Sequence, residues 1–141
     1  TGAATAVAKA LPEFAGKLTG SSIRVPTPNV SLAILNLTLS RPATKDEVND
    51  YLRRASLHSQ LRQQIDYVES PEVVSTDFVG SHRAGIVDGL ATIADGVNMV
   101  LYVWYDNEYG YSCQVIRVLE HMAGAHPVVF PKRDDVRLAS V

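Results

Sequence analysis

The hydrophobic pattern of this chain changes period near residue 44, and that change constrains the fold more than any other feature. Upstream, Leu35, Leu37 and Leu39 alternate with polar residues, as in a strand with one covered face. Downstream, Thr44 and Glu47 fit a capping box, and apolar residues follow at helical spacing. The sequence therefore predicts a strand followed closely by an amphipathic helix.

Short runs rich in strand-forming residues lie between this helix and residue 104. The Asp95-Gly96 pair is the strongest hairpin signal, because both residues tolerate positive φ, so we expect a sheet that is at least partly antiparallel. The predicted strands cover residues 65–68, 73–78, 85–88, 91–94 and 98–104, and residues 21–25 form a further candidate upstream.

Helical patterns flank the strands on both sides. Residues 2–11 carry small and apolar side chains at helical spacing, with Thr1 as the N-cap and Pro12 as the stop. A later helix, ending near Gly124, carries an apolar stripe of Val115, Val118, Leu119 and Met122. Strands interrupted by a few helices, without regular βαβ alternation, favour an α+β fold: a mainly antiparallel mixed sheet with helices on one face.

Composition excludes several classes of protein. The formal net charge of −2 provides no overall field for nucleic acid or an anionic membrane, and we expect neither as a partner. The one cysteine, Cys113, cannot form an internal disulfide, which suits the cytoplasm. The four histidines have no metal-binding spacing, so we predict no metal site. Because the chain begins at Thr1 within a helical pattern, we expect a piece of a longer protein.

Two positions in the first quarter of the chain are candidate anion contacts. Thr1 and Gly2 begin a helix, whose first amides favour phosphate or carboxylate, although an ordinary N-cap is the favoured interpretation of these two residues taken alone. Arg24 precedes two prolines, and its guanidinium could grip a phosphate with a fork of donors. A solvated or salt-bridged arginine is the alternative.

The most unusual segment, residues 104–111, joins an apolar strand to a helix through aromatic and polar side chains. Asn107 offers a donor and an acceptor that match a carboxamide, and Tyr111 offers a flat face to a ring. The alternative is that Asp106 or Asn107 caps the helix while the aromatic residues fill the core. His82 and its neighbour Arg83 could touch a ligand or another subunit, or lie in a solvated loop.

Two features argue against catalysis by this segment alone. Cys113 lies on the opening turns of a helix with no adjacent base, so a buried structural thiol is favoured over a nucleophile. No Gly-x-Gly-x-x-Gly motif is present, so the segment contains no dinucleotide-binding Rossmann unit.

Five motifs together resemble glyceraldehyde-3-phosphate dehydrogenase, in the order and near the spacing of that family. They occupy residues 1–7, 18–20, 24–31, 74–78 and 104–112. The resemblance implies that residues 1–124 are part of the family's catalytic domain, that residues 125–141 are a C-terminal tail and that the Rossmann domain is absent. It also implies that Thr1 and Gly2 contact inorganic phosphate, that Arg24 contacts the substrate phosphate and that Asn107, with Tyr111 nearby, contacts the nicotinamide of NAD, or of NADP.

The resemblance further implies the activity of the longer protein and its limits. The reaction oxidises glyceraldehyde 3-phosphate through a cysteine thioester that phosphate cleaves. The cysteine and its histidine base lie upstream of Thr1, so we expect no catalytic residue here and an inactive segment. The family is generally tetrameric through this sheet, which predicts a homo-oligomer. An erythrose-4-phosphate dehydrogenase and a non-catalytic binding or assembly module of the same fold are the alternatives.

Overall fold

The structure is a computed structural model that describes residues 2–127, without the side chains of residues 2–5. Three α-helices and five strands alternate irregularly along this part of the chain. They are α1 (Gly2–Ala10), β1 (Ser31–Thr38), α2 (Lys45–His58), β2 (Ile65–Val68), β3 (Gly85–Asp88), β4 (Ile93–Asp95), β5 (Asn98–Tyr105) and α3 (Tyr109–Met122), with 3-10 turns at Pro12–Phe14 and Ser75–Phe78.

The five strands form one mixed sheet, which confirms the α+β prediction. The order is β1-β5-β3-β2, and β4 pairs with residues 98–100 at the start of β5. The pairs that β5 makes with β1, β3 and β4 are all antiparallel, whereas β2 and β3 are parallel. The long central strand β5 therefore organises the sheet, and the buried apolar side chains gather around it, α2 and the start of β1: Val30, Ala55, Ile86, Val87, Met99 and Leu101.

Two of the predicted strands are wrong. Residues 21–25 form no strand and are exposed, because Pro26 and Pro28 follow and prevent a continuous ladder. Residues 73–78 contain a 3-10 turn in place of a strand, and the Asp77 carboxylate accepts the Val74 amide at 2.8 Å, which closes the turn. Local side-chain bonding thus overrides strand propensity there.

The hairpin at residue 96 exists, one position later than expected. Asp95 pairs with Asn98, so the two loop residues are Gly96 and Val97. Gly96 has φ of +60°, and glycine at the first central position is typical of a type II′ turn. The predicted stop of α3 at Gly124 is also confirmed: Gly124 has φ of +67° and its amide bonds to the His121 carbonyl at 3.1 Å.

The prediction that β1 has one covered face does not hold within the described residues. Leu35 and Leu37 are 41% and 36% exposed, and Ile34, on the other face of the strand, is 53% exposed. The reason is that β1 packs chiefly against its neighbour β5 and lies at the end of the sheet. The alternating pattern identified a strand correctly but not the surface that would cover it.

Candidate functional site

The candidate site lies where the start of β1 meets the end of β5. Ser31 pairs with Tyr105, so the residues that follow Tyr105 turn toward α3 beside the residues that precede β1. This placement brings the 104–111 segment against residues 29–31. The sequence motif at residues 24–31 predicts a role for Arg24 but none for its last three residues.

Asp106 is the buried anchor of this turn, with 2% of its surface exposed. One carboxylate oxygen accepts the amides of Glu108 and Tyr109 at 2.9 and 2.7 Å, and the other accepts the Gly80 amide at 2.8 Å. Burial raises the pKa of Asp106, but the hydrogen bonds from Gly80, the Asn29 side chain, Glu108 and Tyr109 outweigh it and lower the pKa to about 2. Asp106 is therefore a charged structural residue that secures the start of α3.

Asn107 has a different role from its neighbour. Its side chain is exposed, and its Oδ1 accepts a hydrogen bond from Ser31 Oγ at 2.8 Å. Neither of the two residues proposed as helix caps is the N-cap, which is Glu108. Asp106 nevertheless accepts the amides at the start of α3, whereas Asn107 lies at the surface. Tyr111, in the first turn of α3, is 68% exposed, so its ring face is also open.

Val30 stands between the two residues that reach this turn, and its backbone is strained. It has φ of +75° and is the one non-glycine residue with positive φ among residues 2–127. A β-branched side chain at positive φ is a true outlier, and such strain costs on the order of 1–3 kcal/mol. The side chain is nonetheless 7% exposed and part of the core. The sequence does not predict this feature, because valine favours strands and rarely adopts a left-handed backbone.

The predicted anion contacts are less organised than Asn107. Arg24 is exposed in the irregular segment before β1, and no carboxylate within residues 2–127 forms an ion pair with it. Gly2 is the first residue of α1, whereas Thr1 lies outside the described residues. No hydrogen bond within that part of the chain joins Arg24 to Asn107. The tail prediction for residues 125–141 is described only as far as residue 127.

The loop that contains His82 and Arg83 holds α3 against the sheet. Gln114 of α3 donates to the His82 carbonyl at 3.1 Å, and Arg83 donates to the Arg62 carbonyl and lies 3.6 Å from the Asp66 carboxylate. Burial and the charges of Arg83 and Arg117 lower the pKa of His82. These contacts give the loop a structural role. Cys113 is a free, half-buried thiol on α3.

A cleft of about 440 Å³ opens elsewhere, beside β2 and the 3-10 turn at Ser75–Phe78. Its lining includes Asp66, Asp77 and Phe78 but none of the residues proposed as ligand contacts. The donor groups at Asn107 and Tyr111 therefore lie on an open surface of this segment, so a ligand held there would need further walls from outside residues 2–127.

The described residues contain neither a metal-binding cluster nor a membrane-spanning helix. No cluster of three or more His, Cys, Asp or Glu side chains there could hold a metal ion. None of the helices in residues 2–127 has the length and apolar character needed to cross a membrane.

Fold and site together define a class of protein: an α+β sheet domain whose strand-to-helix turn presents an amide and an aromatic ring. The family model for the glyceraldehyde 3-phosphate dehydrogenase C-terminal domain matches residues 1–107. The chain belongs to the glyceraldehyde-3-phosphate dehydrogenase family and corresponds to its C-terminal domain.

Individual relatives agree with this assignment. A glyceraldehyde-3-phosphate dehydrogenase-like protein of Pseudomonas aeruginosa (strain UCBPP-PA14) is 65% identical over 132 residues, which are 94% of this chain and 29% of the relative. A glyceraldehyde-3-phosphate dehydrogenase of Echinococcus multilocularis is 47% identical over 123 residues, 86% and 36% of the two chains. A cytosolic glyceraldehyde-3-phosphate dehydrogenase of Ginkgo biloba is 48% identical over 124 residues, 87% and 36%. The chain thus spans about a third of the length of these curated relatives.

Proposed function

We propose that this chain is the later part of the catalytic domain of an oxidoreductase that converts glyceraldehyde 3-phosphate, NAD and phosphate to 1,3-bisphosphoglycerate and NADH. The reaction would run through a cysteine thioester whose cysteine and histidine base lie upstream. In this proposal residues 1–124 belong to the catalytic domain, residues 125–141 are a tail and a Rossmann domain precedes them. The segment by itself would be inactive, because an activated nucleophile needs its base beside it.

The observation that carries the proposal is the family match over residues 1–107, which includes both Arg24 and Asn107. The relatives named above bear the name of this enzyme or of a protein like it. Because the chain covers only about a third of those relatives, the activity of the whole protein follows from the relationship and not from this segment.

The residues of the candidate site fit a nicotinamide dinucleotide. Asn107 is exposed with its amide nitrogen unengaged by any described acceptor, and the ring of Tyr111 is open to stack or pack against a flat group. When bound, the nicotinamide would take the hydride from the substrate carbon. Asn107 would hold the carboxamide, and Tyr111 would lie beside it. NADP is an alternative to NAD, since the part of a cofactor that distinguishes them would contact the upstream domain.

Phosphate would be held by the other two positions. Arg24 is exposed without a carboxylate partner among the described residues, so its guanidinium is available for the substrate phosphate. Gly2 begins α1, and Thr1 precedes it. The first amides of this helix would therefore be the donors to inorganic phosphate. We also propose that the protein is a homo-oligomer and that it is cytoplasmic. The word cytosolic in the names of the plant relatives supports the location.

The proposal is tested by the rate of NAD reduction in the full-length protein with glyceraldehyde 3-phosphate and inorganic phosphate. We expect Arg24→Ala to lower kcat/KM for the aldehyde phosphate about 10- to 100-fold, because a charged hydrogen bond contributes roughly 1.5–3 kcal/mol. The matched control is Arg41→Ala, another exposed arginine, which should leave kcat/KM within about twofold.

Three other outcomes would change the assignment. Faster turnover of erythrose 4-phosphate would favour the erythrose-4-phosphate dehydrogenase. An inactive wild-type protein, or a full-length chain without an upstream cysteine, would favour a non-catalytic binding or assembly module. If Arg24→Ala and Arg41→Ala had the same small effect, Arg24 would not be the phosphate contact.

A further inference from the structure

Two side chains of the strained segment before β1 act on the site turn. Ser31 donates from Oγ to Asn107 Oδ1 at 2.8 Å, and the Asn29 side chain helps to lower the pKa of the buried Asp106 carboxylate. Val30, the positive-φ residue, separates these two residues. Strain of this kind persists only where the surroundings fix the backbone, and it concentrates at functional sites. Each residue beside Val30 thus acts on one residue of the turn.

In the structure, Asn107 turns its amide oxygen toward Ser31 and its amide nitrogen away from it. An asparagine side chain has an acceptor oxygen and a donor NH₂ group that could exchange places by rotation about one bond. The Ser31 hydroxyl donates to Oδ1, and this arrangement leaves Nδ2 unbonded by any acceptor within residues 2–127. The surface at Asn107 is then a hydrogen-bond donor.

The position of Ser31 in the fold makes this orientation stable. Ser31 is the first residue of β1, and its backbone is in register with Tyr105, two residues before Asn107. Asp106, directly before Asn107, is held by three backbone amides. Both ends of the Ser31–Asn107 bond are therefore attached to ordered backbone, so little side-chain freedom is lost when a ligand binds.

We infer that Ser31 is a positioning residue for the cofactor: it orients Asn107 so that Nδ2 donates to the carbonyl oxygen of a pyridine carboxamide. This inference rests on the proposed function, which assigns that carboxamide to Asn107. Ser31 acts through Asn107 and does not itself contact the cofactor. The Asn29–Val30–Ser31 segment supplies the geometry, with Asn29 holding the anchor Asp106 and Ser31 holding the ligand contact.

The test measures NAD binding to the full-length protein by calorimetry, together with steady-state kinetics. We expect Ser31→Ala to raise both the Kd and the KM for NAD about two- to tenfold, the loss that one hydrogen bond implies. The KM for glyceraldehyde 3-phosphate should stay unchanged, because Ser31 does not act on the phosphate contacts. Ser31→Thr keeps the hydroxyl and should restore NAD binding.

A cofactor analogue tests the direction of the hydrogen bond. Acetylpyridine adenine dinucleotide keeps the carbonyl oxygen and has a methyl group in place of the amide nitrogen. If Asn107 donates to the carbonyl, Ser31→Ala weakens binding of this analogue by the same factor as binding of NAD. A loss confined to NAD would mean that Asn107 presents its oxygen, and the inferred orientation would be wrong.

The control and the remaining outcomes separate this inference from the proposed function. Ser59→Ala removes a hydroxyl that bonds to the Ala55 carbonyl at 2.6 Å, at the end of α2, and should leave both constants unchanged. If wild type binds and reduces NAD while Ser31→Ala matches it, the positioning role is refuted and the proposed function stands. If Ser31→Ala raises every constant equally, Ser31 is merely structural. A wild-type protein that neither binds nor reduces NAD refutes both.

Discussion

At the scale of single residues, Asp106 gives the site turn a dependence on pH. Its carboxylate is 2% exposed and has a pKa of about 2, below the ordinary 3.8. A lowered pKa in the folded state stabilises the fold above about pH 4, and that contribution is lost as the pH falls from 4 through 2. Acid should therefore loosen the Asn107 turn by protonating its anchor.

We expect Asp106→Asn to lower the free energy of unfolding by about 1–3 kcal/mol at neutral pH, because an amide leaves some of the buried backbone donors without an acceptor. The variant should also show a flatter dependence of stability on pH between 4 and 2. Urea unfolding followed by circular dichroism at several pH values measures both effects. Asp95→Asn, at the exposed end of β4, is the control, and equal behaviour of the two variants would contradict the anchoring role of Asp106.

At this scale the sequence predicts a site at residues 104–111, because aromatic and polar side chains are concentrated there at a strand end. The structure leaves Asn107 exposed, and its role as a ligand contact stays a prediction. Ser31 and Asn29 could not be selected, because their importance depends on the pairing of Ser31 with Tyr105, 74 residues away. The positive φ of Val30 is likewise invisible in a residue type that favours strands.

At the scale of secondary-structure elements, the start of α2 is held by local contacts. Thr44 Oγ1 accepts the Glu47 amide at 3.2 Å, and the Glu47 carboxylate accepts the Thr44 amide at 2.7 Å, so the predicted capping box is confirmed. These bonds also lower the pKa of Glu47. Because four residues contain the whole motif, sequence alone was sufficient to place this boundary.

We expect Thr44→Ala to lower the free energy of unfolding by about 1 kcal/mol, through loss of the cap. Glu47→Gln is the matched control, because glutamine can also close a capping box and should cost less. Urea unfolding at neutral pH compares the two. If Glu47→Gln proved as damaging as Thr44→Ala, the charge and not the hydrogen-bonding pattern would be what stabilises the start of α2.

Elements whose limits depend on distant partners were predicted less well. Residues 21–25 have strand-forming side chains but no strand beside them in the described structure, and two prolines follow. By contrast, β2 and β3 were placed at their observed bounds, because each is a short apolar run flanked by turn residues. Strand propensity therefore located strands that pair and also two segments, residues 21–25 and 73–78, that form no strand.

At the scale of the whole molecule, the segment exposes more apolar surface than a self-contained domain of its size should. In α3, Val118 and Leu119 are 57% and 53% exposed, and Met122 is 77% exposed. The predicted stripe of this helix is present, but no described element covers it. A chain that spans about a third of its relatives would have such surfaces where the rest of the protein packs.

The edge of the sheet leads to the last prediction. β1 is an eight-residue terminal strand, paired only with β5 among the described residues, and it contains no charged residue and no proline. Proteins usually protect such edges with those residues, so an unprotected edge favours pairing with another chain. We therefore expect the isolated segment to self-associate through β1, which sedimentation velocity over a range of concentrations would detect as a rising average mass.

Two matched substitutions show which surface is responsible. Ile34 in β1 and Ile116 in α3 are 53% and 55% exposed, so a lysine at either position adds the same charge to a similarly open site. Ile34→Lys should shift the segment toward monomer because charge opposes edge pairing, whereas Ile116→Lys should leave association through β1 intact. The reverse result would assign association to the α3 stripe. A wild-type segment that stays monomeric at every concentration would mean that β1 is protected in a way its sequence does not reveal.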